Sequence, residues 1–150
     1  MQDLIDKTFS DSTEMRYFDY SLFLLAQEKG NLESEDYKQA LFEMLRLSRQ
    51  EGIVRFMNEY DLEAKIGPSS GPACKTDLTN GDNFSIESSS PAAIAGYLSI
   101  NVLMGQIDGL LVGISIFDRA WSEPVLLEIA YNYEQGTQQR FTPNYSTGNY

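Results

Sequence analysis

Histidine is absent from this 150-residue chain, and cysteine occurs once, at Cys74. Without an imidazole no Ser–His–Asp or Cys–His nucleophile can be built, and the commonest metal ligand and near-neutral acid or base is missing. A single cysteine excludes an intrachain disulfide and a cysteine-rich zinc site, so Cys74 reads as an incidental thiol. Positive charge is scarce as well: 11 Lys and Arg stand against 22 Asp and Glu, a net charge of -11. That balance argues against nucleic acid, whose phosphates need Lys and Arg to displace counterions, and equally against anionic membrane. No apolar run approaches the roughly 20 residues needed to cross a bilayer. The start, MQDLIDK, lacks the basic region and apolar run of a signal peptide. An acidic, cytoplasmic chain with no metal and no cofactor is the expectation.

What is present suffices for a core, with 42% apolar residues. Residues 1–13 are polar and unpatterned and read as a loop. Helical spacing runs from Glu14 to Glu28, with Phe18, Leu22, Leu25 and Ala26 on one side and Gly30 as a stop. Ser34 offers an N-cap acceptor, with Glu35 and Asp36 in the first turn. That helix carries Tyr37, Leu41, Met44, Leu45 and Ser48 and continues through Ile53, Phe56 and Met57 to Tyr60, with Gly52 either bending it or tolerated. A short strand at Ala64–Gly67 leads to Pro68 and a loop reaching about Ser90, long enough to suggest function or cover by a partner. Pro91–Ala95 reads as a small-residue helical turn. Leu98–Met104 alternates as a strand, and Leu110–Phe117 is apolar enough for burial on both faces. Gly105–Gly109, with Asp108-Gly109, suits the hairpin between them. A last helix starts at Ser122 as N-cap, carries Leu126, Ile129, Ala130 and Tyr133, and stops at Gly136. Residues 137–150 form a polar tail. Three strands are few for a free-standing sheet, so the pattern is α/β: a partial mixed β-sheet with flanking helices.

Several groups could carry chemistry. Ser88-Ser89-Ser90 feeds the small-residue turn Pro91-Ala92-Ala93-Ile94, whose N-terminus could steady an oxyanion. Pro91 removes one donor, however, and the run reads better as a cap or loop. Ser69-Ser70-Gly71-Pro72 lies between Lys65 and Lys75. A lysine could serve as base to a serine if burial lowered its pKa, but turn chemistry explains the run without it. Asp77–Asn83 fails the spacing of a calcium loop and lacks its closing Glu, which leaves an Asn-Gly turn. Glu43, Glu51, Glu123 and Glu134 read as solvated helix faces rather than a glycosidase pair. No catalytic residue is assigned.

The segments EMRYF, LFLLAQEKG, LRLSRQEGI, DLEAKIGPSSGPA, NFSIESSSPAAIAGY, GLLVGISIFDRAWSE and LLEIAYNYEQ occur in this order between Met15 and Pro143. Their combination resembles the closing segment of amidase-signature enzymes, which hydrolyse amides with a Ser–Ser–Lys triad. The resemblance implies a C-terminal piece of a large mixed sheet wrapped by helices. Residues 14–136 would be the amidase-like part, and Pro68, Ser69, Asp82, Asn83 and Phe84 would lie in loops at the substrate pocket. The family's lysine and Gly/Ser-rich nucleophile loop have no match upstream of Ser90. The expectation is a chain inactive alone, binding a small amide substrate only when joined to the N-terminal part. The alternative is a non-catalytic protein partner that completes the sheet of a separately encoded half. Leu98, Leu103 and Leu111 stand where similar sequences usually carry proline, and Asp19, Glu87 and Asp118 where glycine is usual. Lys65 takes a strand position that is usually apolar. Drift and ordinary divergence both fit these changes.

Overall fold

The computed structural model describes residues 2–16 and 20–142; Phe18 and Asp19, named above, lie outside them, as does the tail from 143. The chain divides into two compact units, Met1–Glu43 with Asp77–Gly81, and Met44–Thr76 with Asp82–Tyr150.

In the first unit, Gln2–Phe9 is an amphipathic helix, α1, burying Ile5 and Thr8. This corrects the loop expected over 1–13. Ile5 and Thr8 are three apart, close enough to share a helix face that a window of mostly polar residues conceals. The single helix expected from Glu14 to Glu28 is also corrected. Glu14–Arg16 is a 3₁₀ turn, and α2 spans only Ser21–Gln27, with Leu22, Leu24 and Leu25 exposed. The helix α3, Glu35–Leu45, starts as the sequence indicates: Tyr37 N–H donates to Ser34 Oγ at 3.4 Å.

Past Leu45 the backbone winds as a π-helix over Arg46–Val54 and returns to α geometry in α4, Arg55–Glu59. Gly52 takes part in this change rather than being merely tolerated. A Cβ at Gly52 would stand 2.6 Å from the Leu47 carbonyl oxygen, closer than a methyl group can approach. At this point of the wider turn the backbone of residue i+5 lies against that carbonyl, and glycine leaves room there.

The second unit is built on a three-stranded antiparallel sheet in the order β1-β3-β2. Its strands are β1, Lys65–Pro68; β2, Ser99–Ile107; and β3, Leu110–Phe117. Asp108 and Gly109 both have positive φ, the two-residue turn that matches strand twist, so the hairpin loop is tighter than Gly105–Gly109. Gly105 instead sits at a bulge, where pairing shifts between Leu103 and Gly105. One face of the sheet packs Ile116 and Ile100 against Leu126 and Ala130 of α6, Glu123–Thr137. The other buries Phe117 with Ile53, Met57 and the alanines Ala92 and Ala95 of α5, Ser89–Ala95. Burial of β3 on both faces therefore holds for its second half; Leu110 and Leu111 are exposed. Ser122 leads into α6 without capping it by its side chain, since its Oγ donates to the Arg119 carbonyl at 2.7 Å. The left-handed residue that ends α6 is Gln138, not Gly136.

Replacing Gly52 by Ala should destabilise the fold by about 1–3 kcal/mol, because the methyl must displace backbone. Gly136→Ala meets nothing within 4 Å and should stabilise α6 by about 0.5–1 kcal/mol. Urea unfolding midpoints check both, and equal midpoints for the two variants would refute the assignment of Gly52 to the π turn.

Candidate functional site

The alternation in β2 and β3 puts polar side chains on the sheet face opposite Ile116. Register pairs Asn101 with Ser115 across the hairpin, and Ser69, just beyond β1, donates its N–H to the Gly113 carbonyl at 2.8 Å. Three polar side chains thus meet across three strands. Ser69 Oγ donates to Asn101 Oδ1 at 2.8 Å, and Ser115 Oγ reaches Ser69 Oγ at 2.9 Å and also bonds Asn101 Oδ1. Gly113 makes the space: a Cβ there would fall 2.9 Å from Ser69 Oγ. Ser115 is 2% exposed, so its hydroxyl depends on these partners.

A cavity of about 320 Å³ opens over this trio, walled by Ser89 and two alanines of α5 and by Tyr97 and Ser99. Every lining side chain is uncharged. Its walls are held from behind. Arg49, in the π turn, donates Nε–H to the Ala95 carbonyl at 2.7 Å, with its guanidinium 5.5 Å from the Tyr97 ring centroid. Ser88 Oγ donates to the Pro68 carbonyl at 2.6 Å, and Glu87 bridges Ser70 in antiparallel fashion, so the long loop is tied back at its base.

The serine runs are accounted for by these bonds. Ser89 Oγ donates to Glu87 Oε2 at 2.6 Å, and Ser90 Oγ donates to Glu87 Oε1. These hydroxyls, Ser89 first, hold the Glu87 carboxyl below its ordinary pKa. A carboxylate so stabilised is a weaker base than a free glutamate, which disfavours it as the activator of either serine. Pro91 falls in the first turn of α5, where a missing N–H is harmless. Ser70 Oγ donates to the Gly71 carbonyl at 3.0 Å. The Lys–Ser pair considered at Lys65 does not form: its ammonium stands 4.0 Å from the Phe56 ring centroid beside a separate cavity of about 410 Å³ with Glu51 and Glu59.

The residues expected at one pocket are split between places. Ser69 lines the polar cavity; Pro68 serves it through its carbonyl; Asn83 and Phe84 line another cavity, of about 250 Å³, with Ser70 and Cys74. Asp82 lines neither. Asp77 builds an Asx turn, accepting from the Asn80 and Thr79 N–H groups at 2.9 Å, which lowers its pKa, the Asn80 N–H foremost. Its acceptors are thus taken up by the chain itself. Glu51 is ion-paired with Arg46. Sequence reasoning missed Asn101, Ser115 and Tyr97 as partners. The one usable signal was Ser115, a lone hydroxyl in an apolar strand opposite a polar position of β2.

A hydroxyl- and amide-lined cavity thus lies on a three-stranded sheet whose two outer edges are unpaired among the described residues, the architecture of part of a larger α/β fold. No family model matches the sequence. A probable amidase of Arabidopsis thaliana is 32% identical over 93% of this chain and 24% of its own length. A glutamyl-tRNA(Gln) amidotransferase subunit from Clostridium botulinum is 36% identical over 66% of the chain and 21% of its own. Among solved structures, native peptide amidase from Stenotrophomonas maltophilia superposes with a TM-score of 0.85 at 37% identity, covering 97% of this chain and 29% of that one. Peptide amidase in complex with the competitive inhibitor chymostatin gives 0.89 at 39% identity, covering 96% and 30%. The chain belongs to the amidase-signature family and corresponds to a C-terminal portion of its fold. It spans about a quarter of the length of the curated relatives it matches.

Because the folded pKa of Glu87 is depressed, its contribution to stability is present above the unfolded pKa and lost as pH falls through the folded one. In a carbon-13 titration the Glu87 carboxyl should titrate below a free glutamate. Ser89→Ala should raise its pKa toward the ordinary value; an unchanged midpoint would show that the serine bond does not form in solution.

Proposed function

We propose that this chain is the C-terminal part of an amidase that hydrolyses carboxylic amide C–N bonds. It carries no catalytic residue of its own and contributes the hydroxyl-lined cavity as one wall of the substrate pocket. The superposition on nearly the whole of this chain, over less than a third of each peptide amidase, supports the reading most directly. The bonding of the serines supports the absence of a nucleophile: Ser70 Oγ donates to a backbone carbonyl, which is no base, and Ser89 and Ser90 share one carboxylate, Glu87, held below its ordinary pKa. The whole amide substrate would be held and turned over only with the N-terminal part of the fold in place, in a cytoplasmic setting; the cavity on this chain would by itself hold only a small amide fragment, weakly. No helix among the described residues is long and apolar enough to cross a membrane.

A second reading makes the chain a non-catalytic subunit that completes the sheet of a separately encoded half. The exposed apolar surface favours it: Ile66 is 66% exposed, Leu127 60%, Tyr131 63% and Trp121 89%. Apolar faces of this kind find a partner or aggregate.

Purified alone, the chain should hydrolyse no carboxylic amide. Turnover that disappears in Ser89→Ala or Ser70→Ala would overturn the first reading. Co-purification with a larger chain rich in Gly and Ser would favour the second, whereas a monomer with one sharp unfolding transition would count against it.

A further inference from the structure

Glu87 sits where the long loop enters α5, two residues before Ser89. Its placement is fixed by the chain: it bridges Ser70, Gly71 N–H donates to the Ile86 carbonyl at 3.1 Å, and Ser88 Oγ is bonded to Pro68. From there its carboxylate takes the hydroxyl proton of Ser89, which lines the polar cavity, in a hydrogen bond. A hydroxyl has one proton to donate, so Ser89 Oγ presents only lone pairs to whatever occupies the cavity. The full negative charge lies one hydrogen bond behind them. We propose that Glu87, acting through Ser89, makes this wall of the cavity selective for groups that donate N–H, neutral or cationic, and against carboxylates. The proposal rests on the reading of this cavity as part of a substrate pocket.

Chemistry on both sides supports the direction. A carboxamide or amidinium offers N–H to the Ser89 oxygen, while a carboxylate sets lone pairs against lone pairs next to a like charge. Arg49, the cation behind Tyr97, does not line the cavity, and its Nε–H is committed to the Ala95 carbonyl. In an amidase the same wall would hold the amide and help expel the acid formed from it.

Benzamidine, benzamide and benzoate test this, being nearly equal in shape and carrying charges of +1, 0 and −1. Binding to the full 150-residue chain is followed by amide chemical shifts at Ser99, Asn101 and Ser115. Benzamidine should bind more tightly than benzoate, and Glu87→Gln should reduce that preference by about two- to threefold, the effect of one solvent-screened charge. Glu128→Gln, on the exposed side of α6, removes the same charge remotely and should leave the preference unchanged. If Glu87→Gln loses its dispersed spectrum, Ser89→Ala replaces it and should likewise reduce the preference. Benzamide binding with a preference that neither Glu87→Gln nor Ser89→Ala alters would overturn the selectivity alone. Failure of benzamide to shift these resonances would sink the reading of the cavity as a substrate surface, and the selectivity with it.

Discussion

The pairing of β3 with strands on both sides is the constraint on which the second unit depends. Side chains on a strand alternate between faces, so register decides which residues meet. With Ile116 opposite Ile100 and Ile66, one face is apolar and receives Leu126 and Ala130. The same register sets Ser115 opposite Asn101 and brings Ser69 alongside. A slip of one residue would turn Ser115 toward α6 and Ile116 toward the polar cavity. Core and cavity are two consequences of one alignment, and the Asp108-Gly109 turn, with both residues at positive φ, sets it.

Elements written in contiguous residues are legible in the sequence. The bounds of β3 follow from a nearly all-apolar run that stops before Asp118, and α6 from its spacing of Leu126, Ile129 and Ala130. The Ser34 cap needs only a hydroxyl three residues before Tyr37. The polar trio is not legible in this way, because Ser69, Asn101 and Ser115 are brought together only by the sheet. Nor is the π winding after Leu45, which rests on the approach of Gly52 to the Leu47 carbonyl. A glycine within helical spacing says that room is needed somewhere, not for what. Gly136 misleads in the opposite sense: it has the look of a helix stop, yet α6 runs through it to Thr137, and Gln138 adopts the left-handed conformation.

The charges of Lys65, Asp118 and Glu87 each meet a local partner. Lys65 lays its ammonium over the Phe56 ring, with Phe117 further off at 5.9 Å, which offsets part of the cost of a charge on a strand. Asp118 is 5% exposed and bonds Arg119 at 3.3 Å. Arg119 in turn donates to Asn58 Oδ1 at 2.7 Å and the Leu62 carbonyl at 3.1 Å, tying the end of β3 to the turn after α4. Glu87 is held by Ser89 and Ser90. These three charges are compatible with an ordered scaffold, since the buried one, Asp118, is paired. Leu98 and Leu111 fall at exposed positions.

Such a scaffold is still physically incomplete as a sheet. Among the described residues, β1 and β2 each pair on one side only, leaving N–H and C=O groups of both outer edges open. Ile66 stands 66% exposed on the edge strand β1. On α6, Leu127 and Tyr131 are four residues apart and thus on one face, turned away from the buried side that holds Leu126 and Ala130. An isolated domain would place charge or a bulge at such edges and polar residues on such a helix face. The bulge near Gly105 protects part of β2, but β1 has only Lys65 and Pro68 to blunt it. One remedy serves all three features: further chain along the sheet edge pairs the open backbone, covers the apolar positions and closes the cavity wall that faces outward. That shared requirement is the physical case for treating this chain as part of a larger amidase fold, whether the rest is joined to it or encoded apart.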